Sequence, residues 1–100
     1  MALHLNQKEN IYEVSGQLNA ENAIALKKHF EQFLTQVDDI ILSLDNVSLI
    51  EPCSAYTIEQ LYLDFIKDRN GFQIIGRENK DIAEVMKETK TSYILSNDRY

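Results

Sequence analysis

The stretch DDIILSLDNVSLIEPCSAYT, residues 38–57, decides the fold. Its first part, Ile40, Ile41, Leu42 and Leu44, is a near-continuous apolar run of strand length. Such a run fits a strand covered on both faces, as in a parallel sheet. Pro52 biases Glu51 toward extended geometry, so strand-like backbone is expected to persist to the proline. The following residues read as a helix, with Ala55, Ile58, Leu61, Tyr62, Phe65 and Ile66 on one face. The pair Asn70-Gly71 reads as its C-terminal cap.

Outward from this stretch the pattern repeats. Leu3 and Leu5 alternate with polar residues, and Ile11, Tyr12 and Val14 follow a polar turn. They predict two short strands in an antiparallel pair, the second ending at Ser15-Gly16. Ala23, Leu26, Phe30, Phe33, Leu34 and Val37 then fall on one helical face, with Asn19 as N-cap and Glu21 at the positive end of the dipole. Lys27, Lys28, Glu31 and Gln32 take the solvated side. After residue 71, FQIIG reads as a short strand. NKDIAEVMKE reads as a helix capped by Asn79 with Ile82, Val85 and Met86 as its stripe, and TSYIL as a final strand or extended tail.

Strands alternating with helices imply right-handed crossovers and a parallel core, which the opening pair makes mixed. The expectation is a single α/β domain over residues 1–100, with three or four helices packed on a mixed sheet. Its length and 44% hydrophobic content suffice for one core.

Charge and composition exclude several functions. Ten basic and 16 acidic side chains give a net charge of −6 with no basic stripe, which disfavours nucleic acid. A basic protein partner is electrostatically easier, although such a charge is also ordinary for solubility. The start MALHLNQKEN has neither a basic n-region nor a long apolar run, and no segment approaches membrane-spanning length. One cysteine forms no internal disulfide, so a cytoplasmic, reducing setting is expected. His4, His29 and Cys53 lack metal-ligand spacing, and no cofactor motif is present.

In open α/β sheets functional groups gather outside the carboxyl ends of strands, and LIEPCSAYT, residues 49–57, stands at such an end. Ser54 is expected to cap the helix from near Ala55, accepting an N–H of Tyr56 or Thr57. Its functional reading is phosphorylation, with the phosphate held by the helix N–H groups. Cys53 lies where the dipole favours a thiolate, but Glu51 two residues back opposes that, and an inert small residue is the commoner outcome. A thioredoxin-like enzyme would need a second nearby cysteine, which is lacking. No glycine-rich phosphate loop or Ser/His/Asp set is apparent.

Three segments resemble the STAS domain, the fold of the anti-sigma-factor antagonists, over about Ile11 to Leu95. IYEVSGQLNAENAIALKKHF is similar to that family's opening strand, Gly-x-Leu-Asp turn and first helix. DIILSLDNVSLIE resembles its central strand, and EPCSAYTIEQLYLDFIKDRNGFQIIG its Asp-Ser-Ser-Gly turn, second helix and next strand. The resemblance implies a non-enzymatic interaction module whose partner is a kinase-like anti-sigma factor that phosphorylates the turn. Asn19 replaces the Asp of the first motif. In the second, Glu51, Pro52, Cys53 and Ser54 replace Asp, Ser, acceptor Ser and Gly. A cysteine is no serine-kinase substrate, so the switch is expected to be absent or moved to Ser54 or Thr57. The implied partner-binding residues are Asn19, Glu51, Cys53, Ser54, Tyr56 and Thr57. The alternatives are an accessory subunit of a transporter or stress-sensing complex, which needs no acceptor, and, less favoured, a single-thiol redox protein.

Overall fold

The computed structural model describes residues 3–9, 11–32, 39–68 and 71–95. Strands β1 (Leu3–Lys8), β2 (Ile11–Leu18), β3 (Asp39–Ile50) and β4 (Gly71–Ile75) lie side by side in that order. β1 and β2 pair antiparallel, and β2–β3 and β3–β4 pair parallel. Helices α1 (Ala20–Glu31), α2 (Pro52–Asp68) and α3 (Lys80–Thr89) follow β2, β3 and β4. The mixed sheet and three helices agree with the sequence expectation. Phe33, Leu34, Val37 and Asn70 lie outside the described residues.

The ladder register sets which side chains share a face. Leu5 pairs with Val14, Tyr12 with Leu42, and Leu42 with Ile74. This set is buried with Leu26, Phe30, Ile58, Leu61, Phe65, Ile82 and Met86 in one core, and Leu5 packs against its edge. The stripes of all three helices therefore meet the same sheet face. The alternate set holds Ile11, Glu13, Ile41 and Gln73, which keep some exposure, together with Ser43 and Ile75, which are buried. The expectation that β3 is covered on both faces is thus met only in part: the second face is buried at Ser43 and Ile75 and partly exposed at Ile41, while the three helices pack on the first face. An apolar run in β3 does not by itself distinguish full cover from partial cover.

Phe30 stands edge-on to both Tyr12 and Phe65, with ring centroids 5.1 and 6.5 Å apart, tying α1 to β2 and α2. On the surface Lys27 pairs with Glu31 of its own helix and with Asp64 of α2 at 3.8 Å. The hydrogen bond to Glu31, reinforced by both carboxylates, holds the Lys27 ammonium above its ordinary range.

Three local expectations also change. β2 runs through Ser15-Gly16 to Leu18 because β3 bulges twice beside it, around Leu44–Asp45 and at Ser48. Gly16 meets this irregularity with a φ of 106°, open to glycine at little cost. Ile66 does not join the buried stripe of α2 but faces solvent. TSYIL forms a 3₁₀ turn, Ser92–Ile94, with a single bridge from Leu95 to Ile74. Lys90 adopts left-handed geometry and Thr91 N–H donates to Met86 O at 2.8 Å. That helix-ending turn reverses the chain before a full strand can form. Arg77 then fastens the turn by donating to the carbonyls of Ser92 and Leu95.

Asn79 fixes the passage from β4 to α3. Its Oδ1 accepts the N–H groups of Asp81 and Ile82, as expected of the cap. Its Nδ2 also donates toward the carbonyls of Leu44, Asp45 and Val47 at 3.1, 3.1 and 2.8 Å. One amide thus caps α3 and satisfies the bulged backbone of β3. Gly76 precedes it under α3, where an added Cβ would stand 3.2 Å from Leu44 Cβ and 3.4 Å from Ile82 Cγ2.

Candidate functional site

α1 and α2 both begin at the carboxyl end of the parallel sheet. The ladder continues past its last paired residues, with Glu51 N–H donating to Leu18 O at 3.2 Å. This bond places Glu51 beside the entrance of α1. Asn19 caps that helix, its Oδ1 accepting Asn22 N–H at 2.8 Å. Asn22 in turn donates from Nδ2 to Gln17 O, fixing the approach of the chain. Glu51 Oε1 accepts Ala20 N–H at 3.1 Å. The carboxylate therefore satisfies one of the orphan donors of α1 and sits at the positive ends of two helices.

Glu51 also begins α2. Its carbonyl accepts from Ser54 N–H at 2.9 Å and Ala55 N–H at 3.2 Å, so the helix starts at Pro52, not near Ala55. Proline is well accommodated at a first helical position, where its missing N–H would have had no intrahelical partner. Cys53 and Ser54 are consequently the second and third helical residues. The expected cap by Ser54 does not occur. Its side chain is fully buried, and Oγ has no hydrogen-bond partner among the described residues.

The remaining expected residues gather around Glu51. Cys53 is exposed, with Sγ 3.8 Å from Glu51 Oε1. Thr57 is half-buried and donates from Oγ1 to Cys53 O at 3.2 Å. Tyr56 is exposed on the first turn of α2. Contacts thus link Asn19 through Ala20 to Glu51, and Glu51 through Cys53 to Thr57. Ser54 is the exception, since it lies beneath this surface.

Leu49 was not anticipated here. The bulge at Ser48, whose Oγ donates to Gly16 O at 3.0 Å, leaves Leu49 exposed just before the site. The alternation of residues 47–50 carries no mark of that bulge, so no sequence signal gave it away.

The surface offers one carboxylate, one thiol and the hydroxyls of Tyr56 and Thr57 around two helix entrances, beside the exposed apolar Leu49. This combination suits contact with another protein. Among the described residues no three His, Cys, Asp or Glu side chains are grouped to hold a metal ion, and no helix is long and apolar enough to cross a membrane.

The solved structure of the anti-sigma factor antagonist SpoIIAA in its unphosphorylated form has a similar fold. The TM-score is 0.72 at 10% sequence identity, covering 98% of this chain and 89% of that one. No curated protein sequence matches the chain. The STAS domain model matches residues 2–95, nearly the full length and the whole of the sheet and helices described above. The chain belongs to the STAS domain family.

Proposed function

We propose that this protein binds a partner through the shared entrance of α1 and α2, and that the partner is a kinase-like anti-sigma factor or a relative of one. The STAS fold is a regulatory, protein-binding one, and the resemblance of the PCS turn to the family's phosphorylated turn supports this assignment. Asn19, Glu51, Cys53, Tyr56 and Thr57 form the proposed contact surface, and Ser54 supports it from below. The work is binding, without catalysis or a cofactor, in the cytoplasm.

The observation that carries the proposal is the exposure of Cys53 at the family's acceptor position while the neighbouring Ser54 hydroxyl is buried. A kinase that reaches this turn meets a thiol. Phosphate could reach Ser54 only if the first turn of α2 opened, whereas Thr57 is partly accessible. The contact is therefore constitutive at Cys53, or switched at Thr57. The missing hydroxyl also favours a second reading, an accessory subunit of a transporter or stress-sensing complex, where no acceptor is needed.

The test is phosphate incorporation with the native partner and ATP, followed by mass-spectrometric site mapping. Wild-type protein should take no phosphate at position 53, and Cys53→Ser should become a substrate there. Strong wild-type modification mapped to Thr57 would show that the switch has moved. Unchanged partner affinity in both Tyr56→Ala and Glu51→Lys would remove this surface from the interface.

A further inference from the structure

The solvent face of α2 carries three large apolar side chains that are exposed in part. Leu63 and Ile66 are 38% and 39% exposed, and Tyr56 is 53% exposed. At 100° per residue these three side chains lie within one sector of about 80°: Tyr56 and Leu63 face away from the buried Ile58, Leu61 and Phe65, and Ile66 borders Ala55 at the edge of the buried stripe. α1 and α3 pack on the flanks of α2, so the stripe is bordered and not covered. Its first member, Tyr56, also borders the Cys53 turn, but its centre at Leu63 lies nearly three helical turns further along α2.

Two charges frame Leu63. Glu59 lies four residues before it and Lys67 four residues after, each about one turn, or roughly 6 Å, from Leu63 along the axis. Glu59 is held in place, since its carboxylate accepts the Tyr93 hydroxyl at 2.5 Å. The Lys67 ammonium has no ion-pair partner among the described residues. This arrangement is self-complementary. A second α2 laid antiparallel, with a two-fold axis at Leu63, brings Glu59 of each copy opposite Lys67 of the other. The same operation sets Leu63 on Leu63 and Ile66 beside the Gln60 stem. A parallel copy in register would oppose like charges instead.

We infer that two copies of this chain associate through an antiparallel α2–α2 contact about a two-fold axis at Leu63. The contact is isologous, as closed dimers require. One helix face and its flanks fall short of the roughly 1,200–2,000 Å² that stable complexes bury, so the dimer is weak and concentration-dependent. This inference goes beyond the binding surface proposed above and does not depend on it.

Sedimentation equilibrium of the full chain, from about 10 μM to 1 mM, tests it in the range expected for a small interface. Wild-type protein should shift from monomer to dimer across that range. Leu63→Glu should remain monomeric while keeping its circular dichroism spectrum, because Leu63 contributes little to the core. Glu59→Lys and Lys67→Glu should each weaken association by about tenfold or more, since each places like charges across the axis. The double variant Glu59→Lys/Lys67→Glu should restore it. Glu59 and Lys67 of one chain lie two turns apart, so only pairing between copies explains such a rescue. Wild-type protein that stays monomeric throughout overturns the inference and leaves the stripe to a different protein. A dimer that survives Leu63→Glu, or a double variant as weak as the single ones, overturns this geometry.

Discussion

Replacing Asn79 separates two functions that one amide performs. The oxygen caps α3 through Asp81 and Ile82, and the nitrogen serves the carbonyls of Leu44, Asp45 and Val47. Only this orientation matches donors to acceptors on both sides. Asn79→Ser retains a capping hydroxyl but cannot reach β3. It should cost about 1–3 kcal/mol, the penalty for partly buried acceptors left without a donor. Asn79→Ala also removes the cap and should cost about 2–4 kcal/mol in all. Asn79→Asp keeps the cap acceptor and suits the dipole, yet turns an oxygen toward three carbonyl oxygens. At neutral pH it should be at least as unstable as Asn79→Ser. The introduced carboxyl can donate one hydrogen to β3 only when protonated. The folded state therefore binds that proton more tightly than the unfolded chain, and the deficit against wild type should shrink as pH falls through the carboxylate range. Urea denaturation at several pH values measures all three variants. A cost below about 0.5 kcal/mol for Asn79→Ser, typical of plain surface sites, would refute the clamp. So would Asn79→Asp matching wild type at pH 7.

Ser54→Ala removes a buried hydroxyl that has no hydrogen-bond partner among the described residues, so stability should stay unchanged or rise by up to about 1 kcal/mol. A helix cap would instead lose about 0.5–2 kcal/mol on the same change. Thermal and urea midpoints decide between them. Gly76→Ala forces a methyl against Leu44 Cβ and Ile82 Cγ2 and should cost about 1–3 kcal/mol through overpacking between β4 and α3. Unaltered stability there would mean that α3 can move away from the sheet freely.

The parts of this protein legible in its sequence are those set by neighbours in the chain. Asn19 and Asn79 cap helices through N–H groups two or three residues on, so residue type and position sufficed to find them. The buried stripes of α1 and α3 and the apolar run of β3 follow from helical and strand periods in the same way. The order of elements then led to a mixed sheet, because a strand, helix, strand succession has few compact solutions. The PCS turn was likewise legible as a strand end meeting a helix start.

Tertiary structure alone decided what depends on contacts distant in sequence. Pro52 opens α2, and that phase turns Ser54 inward and Cys53 outward. A proline's φ suits both a strand exit and a first helical turn, so local preference left both open. Ile66 sits at a helical phase that fits the edge of the buried stripe, and the placement of the neighbouring elements left it in solvent. Glu51 reaches Ala20 because β2 and β3 pair in parallel, 31 residues apart in the chain. The second role of Asn79 depends on bulges in β3, which arise from register against β2 and not from β3's own residues. Local chemistry names the cap or the strand, whereas pairing register and helix phase determine which side chains share a surface.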